Sequence, residues 1–212
     1  MTIRCCLLLL CIVAVPVRAE PEWVTRHDAG GLLVESRPHA GSSIEAFRGR
    51  LTLAATLGEI IALLQDADYN KRWVYRSGGA RVLAAEGIER TWVHGVVDAP
   101  APMKDRDTVV RFDLEQDPES RVILIKIVNQ PTYLPEQPEV VRVPEFGGFW
   151  RLEPESDEAV RVVYQVYGDP GGFVPGWLAN LAALRSVVAT LQAMPRAVRR
   201  YAGTRVEGIQ DY

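Results

Sequence analysis

Cysteine is scarce in this 212-residue chain: there are three, Cys5, Cys6 and Cys11, all before position 12. Everything downstream therefore lacks a disulfide, a thiolate metal site and a cysteine nucleophile, and its stability must come from an ordinary core. Histidine is just as sparse. His27, His39 and His94 stand apart from any Asp, Glu or Cys at metal-ligand spacing, so no metal site is expected. There is no Gly-x-Ser-x-Gly elbow and no histidine placed to activate a particular serine, which argues against a hydrolase. A basic excess is missing too. With 24 Lys and Arg against 27 Asp and Glu, the formal charge of −3 is the wrong sign for a nucleic-acid partner. Finally, the longest apolar run, Cys5 to Val15, falls well short of the roughly 20 residues a spanning helix needs.

That run has a different use. It follows Arg4 and precedes Val17-Arg18-Ala19, a small-x-small cleavage pattern, so residues 1–19 read as a secretory signal peptide, with an uncleaved membrane anchor as the alternative. Lipid anchoring is not expected, because Cys11 follows Leu10 and Cys6 follows Cys5 where a small residue would be needed. The expected location is periplasmic or extracellular. Residues 20–212 show no repeat and no linker, and about 190 residues can bury roughly 70% of their unfolded surface, so one domain is expected.

Along that region, 32–36 and 43–53 read as a hairpin around Pro38 and Gly41. Leu57, Ile60, Ile61 and Leu64 recur at i, i+3, i+4 and i+7 behind a Thr56/Glu59 capping box, which predicts a helix with one buried face. A short helical turn over 68–73 should end in an aromatic plug, Trp73. Four strands follow over 80–85, 89–97, 108–115 and 121–128. The segment 129–145 holds Pro131, Pro135, Pro138 and Pro144 and is expected to be an irregular loop. Strands over 149–153 and 159–167 make a last hairpin. Trp177, Leu181, Leu184, Val188 and Leu191 then mark one face of a long carboxy-terminal helix, which Pro195 should bend or restart. This order predicts an α+β fold. A long antiparallel meander curls strongly, and one helix across its concave face need not fill the space beneath. An apolar gap there would suit an apolar guest.

Four features stand in one order: Trp73 after a helix, Ala99-Pro100-Ala101-Pro102-Met103-Lys104-Asp105-Arg106-Asp107 opening a strand, Gly147-Gly148-Phe149-Trp150, and Val162 through Gly168-Asp169-Pro170-Gly171-Gly172-Phe173-Val174-Pro175-Gly176-Trp177-Leu178. Together, over about Trp23 to Thr204, they resemble the START family of steroidogenic-acute-regulatory-related lipid-transfer domains in a bacterial secreted form. The resemblance implies a helix-grip fold, a strongly curved antiparallel sheet wrapped around the long helix. It further implies one lipid held between them, no cofactor and no chemistry on the ligand. Sterol-binding relatives pair a strand arginine with a carboxylate inside the pocket. Arg111 matches that arginine, but the preceding strand offers Val93 or a neighbour where the carboxylate would fall.

The candidate cavity residues are Arg111, Trp92, Trp150, Tyr164, Trp177, Leu181, Leu184 and Val188. For Arg111 two readings stand. Alternation puts Val110, Phe112 and Leu114 on the core face and Arg111 outside, whereas the resemblance turns it inward toward a polar or anionic head group. The helix stripe is plain core or ligand wall. Lys126 reads as a solvated strand residue, and Asp105-Arg106-Asp107 as an ion-pair and turn feature. The Phe173 to Leu178 aromatics either dip transiently into a membrane interface or staple the helix start. The expected function is a monomeric, non-enzymatic carrier of one sterol, phospholipid or fatty acyl lipid. The alternatives are a helix-grip enzyme of the polyketide cyclase or aromatase type and an envelope interaction module with a filled cavity.

Overall fold

The computed structural model describes residues 21–212; the expected signal peptide lies outside them. Ten strands form one sheet: β1 Val24–Ala29, β2 Leu32–Pro38, β3 Glu45–Leu53, β4 Ser77–Glu86, β5 Arg90–Val97, β6 Arg106–Gln116, β7 Ile123–Asn129, β8 Val141–Arg142, β9 Glu145–Ser156 and β10 Ala159–Asp169. Its order is β1-β2-β3-β10-β9-β7-β6-β5-β4, all antiparallel, with the two-residue β8 added parallel to β6. Helix α1, Leu57–Gln65, follows β3, and the long helix α2, Gly176–Ala197, closes the chain's last turn over the sheet. This is the expected helix-grip architecture.

Local chemistry sets these elements. The Thr56 hydroxyl accepts from Glu59 N at 3.3 Å while the Glu59 carboxylate accepts from Thr56 N at 3.1 Å, the reciprocal box that starts α1 and contributes about 1 kcal/mol. Behind it Leu57, Ile60, Ile61 and Leu63 are fully buried. Alternation of burial is clearest on β2, β3 and β7. Ile123, Ile125 and Ile127 face inward beside Trp150 and Leu152, while Lys126 faces out and pairs with Glu115.

Where α2 crosses the sheet, Gly49 on β3 has no side chain to hold it away. A Cβ there would fall 2.1 Å from the Leu191 side chain and 3.2 Å from that of Val187. This close approach decides which face of α2 turns inward. Ala179, Val187, Thr190, Leu191, Met194 and Ala197 are buried, so the stripe expected from spacing is rotated from the true one. Trp177 and Leu181 are exposed, at 71% and 37%, and Leu184 and Val188 only flank the core. Big apolar residues defined the expected stripe. Small ones occupy much of the real contact, because the backbones pass close together. Pro195 falls within α2, which continues to Ala197 before a 3-10 turn over Val198–Tyr201.

The four-proline segment is irregular apart from β8 and packs on the outer side of β6. Arg142 holds it there. Its guanidinium donates to the buried Asp107 carboxylate at 2.8 and 3.0 Å, to Leu134 O at 3.0 Å and to Pro131 O. His94 Nε2 lies 2.9 Å from Asp107 Oδ2, the oxygen that also accepts from Arg142 Nη2. Burial alone would raise the Asp107 pKa, but Arg142 and His94 outweigh it and hold the group below its usual value. The expected ion-pair and turn role of Asp105-Arg106-Asp107 is therefore the observed one, with Asp105 accepting from Ala99 N at 2.8 Å.

Candidate functional site

Between α2, α1 and the inner face of β4 to β10 lies a hollow of about 820 Å³. The alternation that buries one face of each strand produces it. Thr91, Val93, Phe112 and Leu114 turn inward from β5 and β6, and Ile125 and Ile127 do so from β7. Trp150 and Tyr164 face each other across β9 and β10 and stack with ring centroids 3.8 Å apart, forming a rigid aromatic wall. Trp73 is the expected plug. It is 7% exposed and borders the hollow, and its Nε1 is buried without a hydrogen-bond partner.

Away from the opening, the polar groups in this wall are neutral. Thr190 Oγ1 accepts from Tyr75 N at 3.1 Å, leaving its own proton free to donate. Asn70 uses its carbonyl oxygen to accept from Ser77 Oγ at 2.6 Å, leaving its NH₂. Burial pushes the Tyr164 phenol pKa up from its ordinary value, so it stays protonated. Exposed residues mark where the hollow opens. Gln65 at the end of α1, Val82 and Gly87 at edge strand β4, Glu89 in the following turn, and Glu207 and Gly208 of the terminal tail are exposed wall residues. The tail is held across this opening by three clasps. Gly203 N donates to Glu59, Gln210 exchanges two hydrogen bonds with Gln116 at 2.7 and 2.9 Å, and Gly58 N donates to Asp211 at 2.9 Å.

The eight candidate cavity residues divide sharply. Trp150 and Tyr164 line the hollow. Arg111 does not: it lies on the outer face and donates to Asp113 at 2.7 to 3.1 Å, with Arg90 on the same carboxylate. Alternation along β6 therefore overrides the position implied by the resemblance. Trp92 pairs in register with Arg111, shares that outer face and stacks on Tyr133 of the proline-rich segment. Trp177 and Leu181 point to solvent, and Leu184 and Val188 pack beside the core without bordering the hollow. From α2 the hollow receives Ser186 and Thr190 instead. Small polar helix residues carry no apolar signal, and only the one-turn spacing of Ser186 and Thr190, each just before the buried Val187 and Leu191, hinted at this face. Val206 to Gly208 were missed because nothing in a polar chain end marks it as a lid.

A curved antiparallel sheet gripping one long carboxy-terminal helix over an apolar hollow defines the helix-grip class. No family model matches the chain. Known proteins do. A crystallised STAR-related lipid transfer protein from Xanthomonas axonopodis is 31% identical, covers 84% of this chain and 98% of its own, and superposes with a TM-score of 0.77. An uncharacterized protein of Pseudomonas aeruginosa is 31% identical over 179 residues, 84% of this chain and 88% of that one. The phosphatidylcholine transfer protein of rat is 25% identical over 192 residues, 88% of each chain. The chain belongs to the STAR-related lipid-transfer, or START, family. A Streptomyces aromatase/cyclase, 19% identical with a TM-score of 0.51 over 77% of this chain and 97% of its own, shares the fold alone.

Proposed function

We propose that this protein is an exported carrier that holds one lipid in the hollow and moves it across an aqueous compartment, residues 1–19 being its signal peptide. The observation that carries this reading is the 820 Å³ apolar space beneath α2, which the protein's own side chains leave unfilled. Burial of a guest's apolar area there contributes roughly 25 cal/mol per Å², less the costs of ordering and association. Family membership supports the same reading, and the rat relative's name is that of a lipid carrier.

The fold alone is shared with an aromatase/cyclase, but the wall favours a carrier. Among the described residues lining the hollow there is no histidine, and Tyr164 is held protonated, so acid/base groups suited to neutral pH are lacking inside. Phe173 is fully exposed and Trp177 largely so at the start of α2, a pair suited to brief insertion into a membrane interface during loading. The test is native mass spectrometry of the protein purified gently from its host, followed by lipid extraction. One stoichiometric lipid is the expected result. A protein that comes out empty and takes up no lipid from vesicles would overturn the proposal.

A further inference from the structure

Resting on that carrier reading, we infer that the hollow selects a lipid without net negative charge, and that Glu89 and Glu207 at its opening turn away anionic head groups. Charge carries the argument. Among the described residues lining the hollow there is no Lys, Arg or His; its only charged side chains are those two carboxylates. A dent of about 420 Å³ beside the opening adds Asp66, Asp68 and Arg81. These two linings together hold four carboxylates and one guanidinium; Asp66, which accepts from Tyr201 and the Tyr69 amide and has Arg200 nearby, has its pKa lowered and stays ionised, so the negative charge at the mouth falls mainly to Glu89 and Glu207. Arg111, the guanidinium best placed by sequence to meet an anion, is committed to Asp113 on the opposite face. A carboxylate or phosphate drawn inside would find only neutral donors, and an ion without a counter-charge in an apolar site is strongly disfavoured. A hydroxyl or ester carbonyl is a different case. Thr190, Ser186 and the Asn70 amide can satisfy it without any net charge.

The test incubates the full chain with phosphatidylcholine vesicles carrying, in separate samples, cholesterol, monoolein, oleate or phosphatidylglycerol. After separation from the vesicles, lipid bound per protein is counted by mass spectrometry. Cholesterol, monoolein or the vesicle phosphatidylcholine should load to one equivalent, with oleate and phosphatidylglycerol at least about tenfold below cholesterol and monoolein at equal concentration, the factor that 1.4 kcal/mol of discrimination gives. Equal loading of an anionic lipid overturns the inference and leaves the carrier reading intact; uptake of no lipid at all sinks both. The double variant Glu89→Lys, Glu207→Lys changes two exposed side chains and should raise the ratio of oleate to monoolein uptake about tenfold. An unchanged ratio removes the carboxylates from the selection.

Discussion

Replacing Arg142 with methionine should be the most damaging single change on the outer side of the sheet. Arg142 is 4% and Asp107 1% exposed at the side chain, so the pair is out of water and the usual discount for surface ion pairs does not apply. Methionine retains most of the volume but leaves Asp107 as a buried carboxylate with His94 as its one remaining side-chain partner, and it strips the donors from Pro131 O and Leu134 O. Losing one member of such a pair costs about 3 to 5 kcal/mol. For a chain of this length, each kcal/mol lowers Tm by about 2 to 4 °C, which gives a fall of about 6 to 20 °C. Circular-dichroism melts and urea titration with an unchanged m-value would read it. Limited proteolysis should show new cleavage within residues 130–140, since the guanidinium ties Pro131 and Leu134 to β6 where the backbone bonds at Gln130, Val141 and Val143 do not reach. The double variant Asp107→Leu, Arg142→Met should be less destabilised than the single one, because no uncompensated charge remains. A loss below about 1 kcal/mol, or strict additivity of the two changes, would refute the reasoning.

Gly49→Val should cost about 1 to 3 kcal/mol in urea titration, because its Cβ would sit 2.1 Å from the Leu191 side chain and α2 would have to lift or repack. Arg111→Ala should leave lipid uptake unchanged and cost no more than about 1 kcal/mol, since its partly exposed pair with Asp113 faces away from the hollow; an altered set of bound lipids would contradict that placement. Asp107, Glu35, Asp66 and Asp113 all have lowered folded-state pKa values. Their contribution is complete above the unfolded carboxylate range and is lost as pH falls through the lowered values. Tm measured against pH should therefore drop below about pH 4, with no slope from these groups above about pH 5.

Most of the architecture was legible because its signals are local. Alternation, the Thr56/Glu59 box and the Gly-Pro punctuation each act within a few residues, and the strands and helices fall where they indicate. β1 escaped notice because Val24–Ala29 is an edge ribbon exposed on nearly every side chain, so it carries no apolar alternation. The site was half legible. Trp150 and Tyr164 belong to strands whose register alternation fixes. The inward face of α2 depended on how closely the helix passes Gly49, a long-range contact that places Ser186 and Thr190 over the hollow and sends Trp177 outward. Arg111 shows the reverse relation, where the period of two along a strand was a better guide than the position implied by the resemblance.

The terminal tail has a practical bearing on how the protein should be handled. Glu207 and Gly208 border the opening, and Gln210 and Asp211 are pinned to Gln116 and Gly58, so residues 207–211 run along the mouth of the hollow. An affinity tag fused after Tyr212 would lie beside that mouth and pull on the two clasps nearest it. Lipid uptake measured on such a fusion would report the tag as much as the protein. Removal of the tag back to Tyr212 keeps the doorway as the sequence built it.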